Sequence, residues 1–167
     1  MSDKVLVVMG SDSDWKIMET AVSTLKSYGV EVDAHVCSAH RTPDRAVALS
    51  SGARENGFSV IIAAAGAAAH LAGVMASKTT LPVIGVPLSG TAMQGLDALY
   101  STVQMPSGIP VATVAIDGAR NAALLAVQIL AITDARLAEK LAADKAAMYD
   151  QVAEKSKNIR KLAGLEG

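Results

Sequence analysis

The sequence predicts a three-layer α/β domain, a doubly wound parallel sheet with helices on both faces. Three observations carry that prediction. Apolar runs of strand length recur along the chain, and helical repeats alternate with them, which is the pattern of βα units. Two of the runs, Val5–Met9 and Phe58–Ala64, are largely continuous rather than alternating, as strands buried on both faces require. Aromatic residues are only 3% of a chain that is 51% hydrophobic, so the core must be aliphatic and alanine-rich, with closely approaching elements.

In order, Val5–Met9 is the first strand, and Gly10-Ser11-Asp12-Ser13-Asp14 turns into a helix. Met18, Ala21, Val22, Leu25 and Tyr28 recur at helical spacing, and Gly29 ends that helix. Val30–Val36 alternates and reads as the second strand. Thr42 as N-cap, Pro43 at the first helical position and Asp44 in the first turn then open a helix that runs to Asn56-Gly57. Phe58–Ala64 is the third strand, Leu71–Ser77 a short helix and Pro82–Pro87 the fourth strand. Between it and a fifth strand, Val111–Ile116, lies a long Gly-, Ser- and Pro-rich segment with one helix over Leu96–Val103; a connection of that size is more often functional than a spacer. Asn121–Ile132 is apolar almost all round and should be buried, and Leu137, Leu141, Met148, Val152 and Ile159 stripe a long polar helix.

The strand order expected for such a sheet is 2-1-3-4-5, the flavodoxin-like arrangement, with ligands at the carboxyl ends of the strands beside strand one. The 167 residues fit one catalytic domain, with an α/β core over 1–133 and a C-terminal helix over 134–167 suited to subunit contact. Fifteen Lys+Arg against sixteen Asp+Glu offer no field for nucleic acid or membrane. The single Cys37 excludes an internal disulfide and a Cys-based zinc site. Met1-Ser2-Asp3-Lys4 and the apolar run after it resemble neither a signal peptide nor a membrane span, so a cytoplasmic protein is expected.

Three unusual loops fall at the switch point. The first, with Gly10, Ser11, Ser13 and Asp14, offers backbone N–H groups and two hydroxyls at a helix N-terminus, a seat for phosphate. Its carboxylates would repel a phosphate, so Asp14 is better placed on a ribose diol; the plainer reading is an ordinary helix cap. The second, Ser38-Ala39-His40-Arg41-Thr42-Pro43, sets an imidazole that can move a proton beside a guanidinium that can clamp an anion. A structural His and a surface Arg are the alternatives. The third, Ala65–Gly73, with Gly66, Ala67, Ala68, His70 and Leu71, contains His70 as its one polar side chain, which either touches ligand or caps its helix. His35 reads as structural, and Cys37 as a buried strand end rather than a nucleophile, since nothing near it in sequence would lower its pKa.

Together, Met9–Trp15, Ser38–Pro43 and Gln104-Met105-Pro106-Ser107-Gly108-Ile109-Pro110 resemble the bacterial 5-(carboxyamino)imidazole ribonucleotide mutase family, the small catalytic subunit of the purine-pathway carboxylase. The similarity runs from Val5 to about Leu130. Arg41 and the Ala69-His70-Leu71 element look like the mutases; the related direct carboxylases usually carry Lys at the first position and lack the second. The resemblance implies interconversion of a ribonucleotide carbamate and its ring-carboxylated isomer, with no metal and no organic cofactor. It implies Ser11 and Arg41 on the substrate phosphate, Asp14 on the ribose, His40 as general acid/base, and Gly66–Leu71 lining the imidazole and CO2, with His70 ordering that wall. It also implies a homo-octamer with sites at subunit boundaries, and functional pairing with an ATP-dependent synthetase that makes the carbamate.

The chain departs from the family pattern at Ala67 and Ala72, where the family usually has glycine and proline, and at Ile116–Asn121, where its loop is shorter than the family's. Three readings compete. A direct carboxylase acting on the aminoimidazole nucleotide and CO2 would share most of the pocket. A signalling receiver module would need a phosphoacceptor Asp where the chain has Ala63-Ala64-Ala65. A flavin-binding carrier would want aromatics flanking the loops.

Overall fold

The computed structural model describes residues 4–165, so the expectation placed on Met1–Asp3 lies outside the described residues. It divides into two compact units, 1–130 and 131–167. In the first unit, β1 (Lys4–Met9), β2 (Glu31–Val36), β3 (Val60–Gly66), β4 (Val83–Leu88) and β5 (Ala112–Thr113) form one parallel sheet of order β2-β1-β3-β4-β5. Helices α1 (Trp15–Tyr28), α2 (Pro43–Ser51), α3 (Leu71–Ala76), α4 (Leu96–Val103) and α5 (Ala119–Leu130) connect and cover it. The three-layer doubly wound fold is as expected.

The apolar runs explain the layers. Successive residues of a strand face opposite sides, so a run with no polar member must be covered twice. Leu6 and Val8 join Ile61, Ala63, Val83, Leu71 and Met75 in the core beneath α2 and α3, and the intervening Val5 and Val7 are fully buried on the other face. There α1 and α5 pack on each other, through helix faces that include Met18, Leu25, Ala122 and Ala126. Gly29 ends α1 in the left-handed conformation (φ 80°), which a residue with a Cβ adopts only at a cost.

The main departures from the expected element boundaries lie in α2, β3, β5 and α5, and local backbone chemistry accounts for the first three. Helix α2 stops at Ser51 rather than near Asn56-Gly57, because Ser50 and Ser51 donate their hydroxyls back to Ala46 and Val47 carbonyls at 2.8 Å and the chain then loosens into turns. Strand β3 begins at Val60, not Phe58: the Phe58 N–H donates to Ala53 O at 3.0 Å, closing those turns instead of joining the sheet. Strand β5 is two residues, not Val111–Ile116. The Pro87 carbonyl faces that edge and accepts the Asp117 N–H at 2.9 Å, but Pro87 has no N–H of its own with which to continue the ladder. Helix α5 starts at Ala119 and ends at Leu130; it buries one face rather than its whole surface, and Ile132 beyond it is 81% exposed.

Gly85, in the middle of β4, lies at a close approach between sheet and helix. A Cβ there would collide with Thr102 Cγ2 of α4 and lie 2.9 Å from Val111 Cγ1. Thr102 cannot give way freely, since it is buried and its hydroxyl donates to Ala98 O at 2.7 Å. Gly85→Ala is therefore expected to lower the unfolding free energy by about 2–3 kcal/mol, as overpacking a close-packed interior does. Chemical denaturation would show it as a lower midpoint with an unchanged slope.

The second unit is dominated by α6 (Ala135–Leu162). Asp134 caps it, accepting the N–H groups of Arg136 at 2.8 Å and Leu137 at 3.3 Å. Of the expected stripe, Leu137 is buried, whereas Met148, Val152 and Ile159 are exposed. Among the described residues, no helix is long and apolar enough to cross a membrane.

Candidate active site

At the carboxyl ends of β1, β2 and β3 a cleft of about 380 Å³ opens. It is lined by Gly10, Ser11 and Asp14 after β1, by Ser38, Ala39, His40 and Arg41 after β2, and by Ala65, Gly66, Ala68, His70 and Leu71 around the end of β3. The three loops singled out in the sequence thus meet in one place, at the predicted switch point. Two expected residues, Ser13 and Ala67, do not line it, whereas Ala65, the first residue of the third loop, does. The loop Gln104–Pro110 is not among the lining segments of this chain either. It contributes by packing: a Cβ on Gly73 of α3 would lie 3.0 Å from Met105 Sδ, so glycine there lets the loop seat against the helix that follows His70.

The first loop caps itself. Ser11 N–H donates to Asp14 Oδ2 at 2.9 Å, and Ser13 N–H donates to Asp12 Oδ1 at 3.0 Å and to Ser11 Oγ at 3.4 Å, completing a capping box around the 3₁₀ turn Asp12–Asp14. The amides expected to face a phosphate therefore have internal acceptors, while the Ser11 hydroxyl lines the cleft and the Ser13 hydroxyl bonds it at 3.0 Å.

Partial burial raises the Asp14 carboxyl above its ordinary value of 3.8, opposed by the Ser11 N–H and the Ser13 hydroxyl that favour the charged form. The folded state then holds this proton more tightly than the unfolded chain, so the Asp14 contribution to stability falls as pH rises through and above 3.8. Asp14→Asn keeps an acceptor for Ser11 N–H without the charge. Its stability relative to wild type is expected to improve as pH rises through and just above 3.8 and then to level off once the folded carboxyl is ionised, read from thermal midpoints across that range.

The second loop is pinned from within. Thr42 stands at the N-cap position of α2, and its carbonyl accepts the Ala46 N–H at 3.2 Å, but its hydroxyl makes no capping bond. It bridges backwards instead, accepting the Ser38 N–H and donating to Ser38 O, both at 3.0 Å, while Ser38 Oγ accepts the Arg41 N–H at 3.2 Å. The turn so fixed presents His40 and Arg41 outward, both exposed. Arg41 Nη2 reaches across to Gly10 O at 3.4 Å, joining the first two loops.

In the third loop His70 occupies the N-cap position of α3, yet its ring caps nothing. Its Nδ1 lies 2.8 Å from His40 Nε2, with the rings edge to face at 71° and centroids 4.9 Å apart. No sequence pattern pointed to this pairing, because thirty residues and two elements separate the two rings. Ala67 adopts φ 53°, a left-handed conformation that costs a residue with a Cβ roughly 1–2 kcal/mol. Cys37 is 1% exposed in the core, with Sγ 3.6 Å from Thr42 Oγ1, and His35 Nε2 lies 3.2 Å from Asp33 Oδ2 on the edge strand; both are packing or surface residues, as read from the sequence. Among the described residues, no group of three or more His, Cys, Asp or Glu side chains gathers to hold a metal ion.

Known proteins resemble this chain in sequence and in fold. The AIR carboxylase family profile matches residues 4–151, further into α6 than the Leu130 limit read from the motifs. The N5-carboxyaminoimidazole ribonucleotide mutase of Brucella melitensis is 52% identical over 160 residues, covering 95% of this chain and 99% of that protein. The protein of the same name from Pyrococcus horikoshii is 53% identical, covering 96% of this chain and 92% of its own length. Two crystal structures of Treponema denticola PurE proteins superpose with TM-scores of 0.85 and 0.83 at 28% identity, over 96% and 94% of this chain and 99% and 98% of theirs. On this evidence the chain belongs to the AIR carboxylase family.

Proposed function

We propose that the protein is a 5-(carboxyamino)imidazole ribonucleotide mutase, which moves the carboxylate of a ribonucleotide carbamate from nitrogen to the adjacent ring carbon and yields 4-carboxy-5-aminoimidazole ribonucleotide. The observation that carries this reading is the single cleft holding His40, Arg41 and His70 together, in a chain about half identical to proteins of that name.

The residues suit the steps. Arg41 and the Ser11 hydroxyl hold the substrate phosphate at one end of the cleft, and Asp14 takes the ribose hydroxyls. His40 protonates the carbamate nitrogen; the N–C bond breaks, CO2 leaves, and the electron pair stays on an electron-rich aminoimidazole. Ala65, Gly66, Ala68 and Leu71 form a wall with few polar atoms, which keeps CO2 beside the ring and raises its effective concentration. The ring carbon attacks CO2, and His40 removes the proton from the resulting sp3 carbon, restoring aromaticity. One imidazole gives the first proton and takes the last, and no metal or organic cofactor enters the sequence.

A homo-octamer in the cytoplasm, working with an ATP-dependent synthetase that supplies the carbamate, completes the proposal. The exposed apolar residues Leu96, Tyr100 and Val103 of α4 and Val152 and Ile159 of α6 support association with further subunits.

The deciding experiment supplies the carbamate to the purified protein without ATP or added metal and follows the ring-carboxylated product by ultraviolet absorbance. Turnover of the carbamate is expected. Indifference to the carbamate, with consumption of aminoimidazole ribonucleotide and CO2, would make the protein a direct carboxylase instead.

A further inference from the structure

We infer that His40 and His70 act as one proton-carrying pair, in which His70 is a positioning residue that fixes the His40 tautomer and makes Nδ1 the nitrogen that exchanges a proton with substrate. The inference rests on the mutase reading for its kinetics and on geometry alone for the pairing.

At 2.8 Å, His40 Nε2 and His70 Nδ1 are within hydrogen-bond contact, and such a contact holds one proton between two nitrogens. Both rings line the cleft, so the nitrogen of His40 left for chemistry is Nδ1. With the shared proton on Nε2, the neutral His40 ring has a bare Nδ1 ready to accept. When Nδ1 is also protonated, the imidazolium keeps an acceptor in the neutral His70 ring, which stabilises the charge. The Arg41 guanidinium lines the same cleft. The Asp14 carboxyl is the remaining charged group lining the cleft.

The pair therefore alternates between two states that differ by one proton at Nδ1. In the first half-reaction Nδ1–H transfers to the carbamate nitrogen as CO2 departs. In the second, the ring C–H proton returns to Nδ1 after the new C–C bond has formed. The Nε2 proton stays in the His40–His70 bond throughout, so the two transfers balance and the enzyme ends as it began. The role parallels that of a buried acid behind a catalytic imidazole, which holds the tautomer and supports the cation without itself reacting.

The chain contains three histidines, so ¹⁵N-histidine labelling gives a spectrum simple enough to assign with His35→Gln. Solid-state NMR of the sedimented protein is expected to show neutral His40 protonated at Nε2 and bare at Nδ1, with coupling between His40 Nε2 and His70 Nδ1. In His70→Leu the coupling disappears, kcat falls roughly 10–100-fold and KM moves less than about three-fold. His70→Asn, whose amide oxygen accepts from Nε2–H, recovers most of that loss. A His40 that carries its neutral-state proton on Nδ1 would overturn the proposal. So would a His70→Leu enzyme with wild-type kcat, or a His70→Asn enzyme as slow as His70→Leu. If wild type leaves the carbamate untouched, the mutase reading fails, while the spectrum still decides whether the pair exists.

Discussion

His40→Asn is expected to lower kcat on the carbamate by about 10²–10⁴-fold, the range a positioned general acid or base contributes. The same imidazole is required twice, once to release CO2 and once to remove the ring proton, so neither half-reaction escapes the substitution. Binding should survive. His40 is exposed, on a turn closed by Ser38 and Thr42 rather than by its own ring, so the loop holds its shape without the imidazole. Titration calorimetry with the product nucleotide should give an affinity within a few-fold of wild type, alongside an unchanged thermal midpoint. A variant that kept more than a tenth of wild-type kcat would remove His40 from the chemistry.

Arg41→Ala is expected to act on the other constant, raising KM about 10–100-fold with a smaller change in kcat. A hydrogen bond to a charged group contributes about 1.5–3 kcal/mol, and a phosphate held by a guanidinium fork loses two such bonds at once, partly replaced by water. Arg41→Lys keeps the charge but not the fork and should fall between wild type and Ala. Competition by ribose 5-phosphate provides an independent measure, since that ligand has no imidazole to report on His40. It should weaken in Arg41→Ala as much as the substrate does. Equal inhibition of wild type and variant would place the phosphate elsewhere.

Much of this site is legible in the sequence. Val5–Met9 and Phe58–Ala64 announced buried strands, Pro43 announced the start of α2, and the coincidence of three polar or glycine-bearing loops at the ends of three adjacent strands located the cleft. Failures came where side chains compete with backbone. Ser50 and Ser51 cut α2 short by bonding back to their own turn, and Pro87 cut β5 short by having no hydrogen to offer. Thr42 looked like a cap and serves as a clasp for Ser38. The contact between His40 and His70 was invisible for a deeper reason. It depends on the separation of two strand ends and the pitch of two turns, and neither leaves a periodic trace in sequence.

The order β2-β1-β3-β4-β5 has a consequence for how the chain reaches its native state. Every pairing is parallel, so no strand can fold against its neighbour through a tight turn, and each ladder closes a loop containing at least a helix. Val5 meets Val32 on one side but must wait for Val60 on the other. During synthesis the apolar β1 therefore spends an interval with one edge unsatisfied, after β2 has emerged and before β3 has. Such non-local pairing slows folding and leaves an open strand edge available to other chains. Refolding yield should then fall with protein concentration more steeply than native stability alone would require.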